Sequence, residues 1–223
     1  MNRRRIRCMV AFMLLPAYAW STESSWRPEL YRQISPEAFL KLPAVNEPID
    51  FDAIDFPLLH AAVLYLTNAE RAQRGLRPLE YNPALERAAR GHSADMRDRD
   101  FYGHMSPVRG KRTPNQRARA EGFRGGRIGE NVAMGFGIQY QSGQSVVKLD
   151  GGHFSFKRNG GPIPPHTYLS AARTVVSDWM NSPGHRANIL RPVFRWIGVG
   201  AVHHRDPRME GMHRFHYTQK FGT

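Results

Sequence analysis

From Asp178 to Leu190 the chain reads Asp-Trp-Met-Asn-Ser-Pro-Gly-His-Arg-Ala-Asn-Ile-Leu, and no other stretch dictates its local geometry so tightly. Leu169, Ala172, Val176 and Trp179 recur at helical spacing and predict an amphipathic helix running into it. Ser182-Pro183 must then end that helix, because the residue ahead of a proline is driven out of the α region. The same pair suits the N-cap and first position of a new, short helix. His185 is thereby expected in the first turn of that second helix, where the positive end of the backbone dipoles disfavours an imidazolium. A neutral ring there can ligate a metal or accept a proton, although a lone histidine in such a place more often does neither.

Two further segments give His185 company. Gly103-His104-Met105-Ser106-Pro107 and Ile128-Gly129-Glu130-Asn131-Val132 each set a titratable side chain beside a glycine, with little hydrophobic periodicity around it. Pro107 prevents a regular continuation and leaves His104 on a connecting stretch, the usual place for site residues. Two imidazoles and one carboxylate on one scaffold would make a metal or proton-transfer site. Glu130 could orient an imidazole, act on a bound water or simply pair with an arginine.

Elsewhere the elements follow from punctuation and period. A helix is expected from about Pro57, with Leu59, Val63, Leu66 and Gln73 on one face, Ala62 and Ala69 beside it, and Gly75 as its stop. Asn68 and Arg71 within it suit structural hydrogen bonds to loops. Asn82-Pro83 opens a second helix, whose Leu85, Ala89, His92 and Met96 form a buried stripe and make His92 a core histidine held by one hydrogen bond. Arg97 to Asp100 reads as a solvated charge run. Thr113-Pro114 starts a third, basic helix carrying Arg117 and Arg119, closed by Gly122. Between Phe136 and Tyr168, Val146–Leu149 and His153–Phe156 flank Asp150-Gly151-Gly152 as a small hairpin, expected to border the site; His153 and His166 within this piece are more plausibly plain loop histidines than ligands. After Pro192 the period becomes two. Ile197, Val199 and Ala201, then Phe215, Tyr217, Gln219 and Phe221, predict two neighbouring antiparallel strands, and the three histidines His203, His204 and His213 are read as belonging to a surface turn.

Asn68-Ala69-Glu70-Arg71, Gly75-Leu76-Arg77-Pro78-Leu79, Gly103–Pro107, Gly129-Glu130-Asn131 and Trp179–Leu190 come in an order that resembles a CAP domain, the superfamily of cysteine-rich secretory proteins, antigen 5 and plant pathogenesis-related proteins. The likeness covers roughly Pro57 to Gly222 and is nearest the bacterial secreted branch. It implies an α+β fold, a CAP-type α-β-α sandwich with a small antiparallel sheet between helices. It also implies a cleft in which His104 and His185 are the two histidines and Glu130 is the glutamate of the Gly-Glu-Asn motif. A second acidic residue, expected three positions after Trp179, is replaced by Ser182. The resemblance thus leaves two histidines as ligands for Zn²⁺ or another divalent cation, and a tetrad mechanism without its fourth member.

The opening of the chain reads as a secretory signal over residues 1–19. Arg3, Arg4, Arg5 and Arg7 form its basic end, Cys8 to Pro16 is mostly apolar but too short to span a bilayer, and Ala17-Tyr18-Ala19 offers a cleavage site. Cleavage would remove Cys8, the only cysteine, and leave a mature chain with neither thiol nor transmembrane segment. Residues 20–56 hold four prolines and several aromatics and suit an extended arm with one short helix near Ser35-Pro36, either partly docked on the domain through those aromatics or disordered. Residues 57–223 then form the domain. The formal charge of +13 includes the four arginines ahead of Ala19, so cleavage leaves +9, and an exported basic protein is drawn to anionic lipid or wall polymers. Nucleic acid is not expected, as no nucleic-acid motif is present. Three functions fit: a secreted or periplasmic binding module for lipid, wall or protein ligands, a metal-dependent hydrolase using His104, Glu130 and His185, and a structural envelope protein. The first is favoured, because a zinc hydrolase needs three ligands and a base, and Glu130 cannot serve as both.

Overall fold

The computed structural model describes residues 26–223; the signal segment and Cys8 lie outside them. Three short helices come first, α1 (Leu30–Gln33), α2 (Pro36–Leu40) and α3 (Pro43–Asn46), each ending within two turns. The expected helix at Ser35-Pro36 is α2, with the Ser35 hydroxyl accepting from the Ala38 amide. This segment is docked: Trp26, Phe39, Val45 and Ile49 are all buried in the main core.

The long helix α4 (Phe56–Ala72) begins one residue earlier than the proline suggested, because Asp55 caps it through Leu58 N–H. Its Gln73 end is exposed, so the apolar face stops short of that residue, while Leu58 to Tyr65 is buried nearly all round between the arm and the sheet. A two-residue strand β1 (Glu80–Tyr81) leads to α5 (Pro83–Asp98), where the Asn82 side chain caps two amides. Leu85, Ala89, His92 and Met96 are wholly buried along α5, as their spacing predicts. The short basic helix is α6 (Pro114–Ala120), opened by a reciprocal Thr113–Gln116 capping box.

Strand β2 (Ile128–Phe136) carries Glu130. After it come the hairpin strands β3 (Val147–Lys148) and β4 (Phe154–Ser155), then α7 (Tyr168–Asn181), α8 (Pro183–Ile189), β5 (Trp196–Asp206) and β6 (Met212–Gly222). The main sheet runs β1-β5-β6-β2, with β5, β6 and β2 antiparallel and only the short β1 parallel to β5. Ile197 pairs with Phe221 and Ala201 with Tyr217, so the two alternating runs are the neighbouring antiparallel strands that were expected.

The layers follow from that alternation. Ile197, Val199, Ala201, Phe215 and Tyr217 share a core with α4 and α7. On the opposite face Gly198 and Gly200 let α5 rest directly on β5: a Cβ at Gly200 would lie 2.1 Å from the Arg90 nitrogen, and one at Gly198 2.1 Å from that of Glu86. The chain therefore builds the expected sandwich, helices on both faces of a small, mostly antiparallel sheet.

Two expectations fail in the same region. The turn between β5 and β6 is confined to Pro207–Gly211, so His203, His204 and His213 lie within strands rather than on a surface turn. The His203 and His213 imidazoles meet nitrogen to nitrogen at 2.7 Å, and Phe51 of the arm stacks 3.8 Å above His213. Pairing of the strands continues past the histidines because these rings can bury against each other and against Phe51. The inserted hairpin, in turn, packs Phe154 and Ile163 on Ile138, Phe136, Met209 and Met212. That cluster sits at the far end of β2 from Glu130, about 20 Å along the strand at a rise near 3.3 Å per residue. The insertion buries its apolar side chains where β2 ends and does not border the site.

Candidate functional site

Glu130 stands on β2 opposite Lys220 of β6, on the face of the sheet covered by α5 and α6. Burial there is complete enough to govern its chemistry, since 1 % of the carboxyl-bearing side chain reaches solvent. Arg117 Nη2, from α6, donates to both carboxylate oxygens at 2.8 Å, Lys220 Nζ donates to Oε2, and His104 Nδ1 donates to Oε1 at 3.0 Å. The imidazole of His92 comes within 3.7 Å of the same oxygen. Burial pushes the Glu130 carboxyl up, but the His104 hydrogen bond and the charges of Lys220 and Arg117 together hold it well below the usual carboxylate range. The Lys220 ammonium is drawn down as well, by burial, to about 8 against the pull of Glu130.

The loop that carries His104 is fastened from below. His92 Nε2 donates to the Gly103 carbonyl at 2.9 Å, so the buried histidine of α5 has the single hydrogen bond expected of it. Arg117 donates to the His104 carbonyl at 2.9 Å and, through Nη1, to those of Lys111 and Arg112. Burial lowers His92 to about 4, which keeps the ring neutral above that. With its backbone and its Nδ1 both tied down, His104 presents Nε2 outward from a side chain that is 46 % exposed.

His185 occupies the first turn of α8, where Ser182-Pro183 was expected to put it. Its ring lies edge-on to that of His104, with centroids 6.3 Å apart. Burial first, and then the neighbouring His104, lower its affinity for a proton. The direction is the one read from the sequence, but those two causes, not the helix end, are the ones found. Asn131 Nδ2 donates to the His185 carbonyl at 3.2 Å, while Asn188 Nδ2 donates to the Glu130 carbonyl at 3.1 Å and to Asn131 Oδ1 at 2.9 Å. These asparagines clamp α8 on β2. The network continues through Gln219 to Thr67 of α4. Arg71, wholly buried, donates to the carbonyls of Arg77, Ile189 and Arg191, and Asn68 exchanges two hydrogen bonds with Leu79, so both hold loops, as expected. A second tie closes the same edge of β2: Trp179 Nε1 and the Tyr102 hydroxyl both donate to the Val132 carbonyl.

The three residues named from the sequence thus meet at one place, and Ser182 sits half-buried at the α7–α8 junction with no carboxylate to add. Arg117, Lys220 and Asn188 were not singled out. Arg117 reads in sequence as one more cation of a basic helix, and its partner lies on another element. Lys220 did carry a signal: period two through Phe221 puts it on the face that α5 covers. His153 and His166 are no part of the site; His166 is a buried structural ring bonded through Nδ1 to Ser170. Among the described residues, no three His, Cys, Asp or Glu side chains are placed to hold one ion. A metal would therefore have the two imidazoles as its protein ligands. The donor set fits that much: Glu130 fixes the tautomer of His104 in the manner of a carboxylate behind a zinc-binding histidine.

Comparison with known proteins places these residues in a family. The profile of the cysteine-rich secretory protein family, CAP, matches residues 64–221. The chain is 35% identical over 141 residues to the uncharacterized protein YkwD of Bacillus subtilis (strain 168), covering 63% of this chain and 41% of that protein. It is 26% identical over 159 residues to the uncharacterized membrane protein YlbC of the same organism, covering 71% of this chain and 33% of YlbC. The chain thus spans well under two thirds of either relative. Among solved structures, an extracellular protein containing an SCP domain from Bacillus anthracis str. Ames aligns with a TM-score of 0.52 at 23% identity, over 79% of this chain and 44% of the other. That likeness is one of fold.

Proposed function

The chain belongs to the cysteine-rich secretory protein (CAP) family, and from that premise we propose that it is an exported binding module of the cell envelope whose ligand engages His104 and His185. The observation that carries this reading is the saturation of Glu130. A general base needs a free lone pair and a pKa near working pH. This carboxylate is out of water, bonded to Arg117, Lys220 and His104, and held well below its ordinary range. Its work is to orient His104 and to neutralise two buried cations. A hydrolase that used Glu130 on a bound water would first have to take it from those partners.

Two imidazoles, one with its Nδ1 held by Glu130, suit Zn²⁺ or a similar divalent ion. Such an ion, when bound, would supply a Lewis-acidic point for an oxygen of the ligand. The basic balance of the chain favours anionic surroundings, so lipid headgroups or acidic wall polymers are the expected milieu. No helix among the described residues is long and apolar enough to cross a membrane.

Calorimetric titration of Zn²⁺ into the purified protein and into His104→Ala/His185→Ala tests the site. The double variant is expected to lose the binding event, and equal affinity in both would remove the hollow as its location. Glu130→Gln should bind Zn²⁺ about 10–100-fold more weakly, the usual cost of losing a carboxylate behind a ligating histidine. Peptide, ester or murein hydrolysis by the parent that vanishes in Glu130→Gln would favour the enzyme instead.

A further inference from the structure

The N-terminal segment and the outer side of α4 enclose a cavity of about 1160 Å³, large enough for a small-molecule ligand. It lies beyond α4, on the other side of the sheet from Glu130. Tyr31, Ile34 and Leu40 form one wall, Leu64 and Tyr65 another, and Tyr81 of β1 a third. These walls are braced. Tyr31 stacks on Tyr81 at 4.6 Å and Phe39 on Tyr65 at 4.2 Å, Trp26 meets Tyr31, Phe39 and Tyr65 edge to face, and the Tyr65 hydroxyl donates to the Ile34 carbonyl at 2.8 Å. A gap between apolar side chains would ordinarily be closed by packing, and here the interlocked rings hold it open.

The charge around it runs against that of the rest of the protein. Carboxylates from Glu29, Glu37 and Glu80 line the cavity against one guanidinium, Arg32, in a chain whose formal charge is +13. All three glutamates are exposed while Leu64 and Tyr65 are buried, so the acidic groups stand at the solvent edge and the apolar surface lies inside. Arg195 reaches Glu80 only at 3.6 Å from an exposed position, an ion pair too weak to cancel it. Behind the wall Glu86 faces Tyr81 but is engaged by His60 and Arg90 and opposed at Tyr81 by Arg87, and Lys41 acts on Glu37 from outside, so the excess of negative charge rests on the three lining glutamates against Arg32.

We infer that this cavity is a second ligand site, independent of the His104–His185 hollow, that takes a single-chain amphiphile with a cationic head. The alkyl chain lies against Ile34, Leu40 and Leu64, and the head sits among Glu29, Glu37 and Glu80. A chain carrying a carboxylate or sulfate head would bring like charge to the same rim and bind less well.

The probes are dodecyltrimethylammonium, laurate and dodecyl maltoside, equal in chain length and cationic, anionic and neutral in head, titrated below their micelle concentrations by calorimetry. The purified protein should bind the cationic probe at least about tenfold more tightly than laurate. Glu29→Gln/Glu37→Gln/Glu80→Gln should lose about tenfold for the cationic probe and leave the maltoside unchanged, with its thermal melt unaltered because all three side chains are exposed. Ala69→Trp, which fills the cavity from α4, should abolish binding of both, and His104→Ala/His185→Ala should bind like the parent. Equal affinity for laurate and the ammonium, no binding of any probe, or a triple glutamine variant that binds like the parent would overturn the assignment.

Discussion

Replacing Glu130 by alanine would leave Arg117 and Lys220 facing each other with no anion between them, in a place where neither side chain is more than 2 % exposed. Removing one partner of a buried, hydrogen-bonded ion pair costs about 3–5 kcal/mol, most of it the burden of the charge left behind. Two effects bound the loss. Arg117 keeps the carbonyls of His104, Lys111 and Arg112 as acceptors. Lys220, already drawn down to about 8, can give up its proton at neutral pH once the carboxylate is gone. We therefore expect Glu130→Ala to lose about 3–4 kcal/mol at pH 7, or roughly 6–16 °C in Tm for a domain of this size. Urea unfolding followed by circular dichroism and by tryptophan fluorescence measures it. Adding Lys220→Met removes the second cation and should restore about 1–3 kcal/mol as a coupling between neighbours. A single variant that loses less than about 1 kcal/mol, or a double variant less stable than the single one, would refute the account of Glu130 as the counter-charge of the buried cations.

Two other outcomes follow from the same structure. His92, His166, His203 and His216 are each lowered, chiefly by burial, from 6.5 to about 4. The unfolded chain therefore binds more protons than the folded one in that window, and the contribution of these four rings should be full above pH 6.5 and fall steadily towards pH 4, with Glu130 adding to the loss at lower pH. Thermal melts across pH 4–8 check this, and a Tm that stays flat from pH 7 to 5 would contradict it. Gly200→Ala would thrust a methyl group to within 2.1 Å of the Arg90 nitrogen and drive α5 off β5. A loss of at least about 3 kcal/mol is expected in urea unfolding, and a change below 1 kcal/mol would mean that the helix can retreat.

Much of the framework was legible because it rests on local rules. Asn82-Pro83, Thr113-Pro114 and Ser182-Pro183 open helices because a capping residue followed by proline suits the N-cap and first helical position, and alternation through Ile197–Ala201 and Phe215–Phe221 marks both strands. His104, Glu130 and His185 could be named from their motifs. The charges around them could not, because the neutralisation of Arg117 and Lys220 depends on which elements lie face to face. The inserted hairpin shows the same division: its strands follow from sequence, while its place depends on where Met209 and Met212 leave apolar surface uncovered. His203 and His213 were misjudged since Pro207 and Gly211 announce a turn without saying how tightly it closes.

The pairing of Trp179 and Tyr102 on one carbonyl of β2 has a bearing on how copies of this protein can associate. A ladder that grows by recruiting a foreign strand needs a run of unoccupied acceptors along a margin. One margin of this sheet is β1 and then β5 beyond Ile197, and on the other Asn188 takes the Glu130 oxygen while an indole and a phenol take that of Val132. Over the Glu130–Val132 stretch of β2 a foreign strand would first have to displace the protein's own side chains from these oxygens.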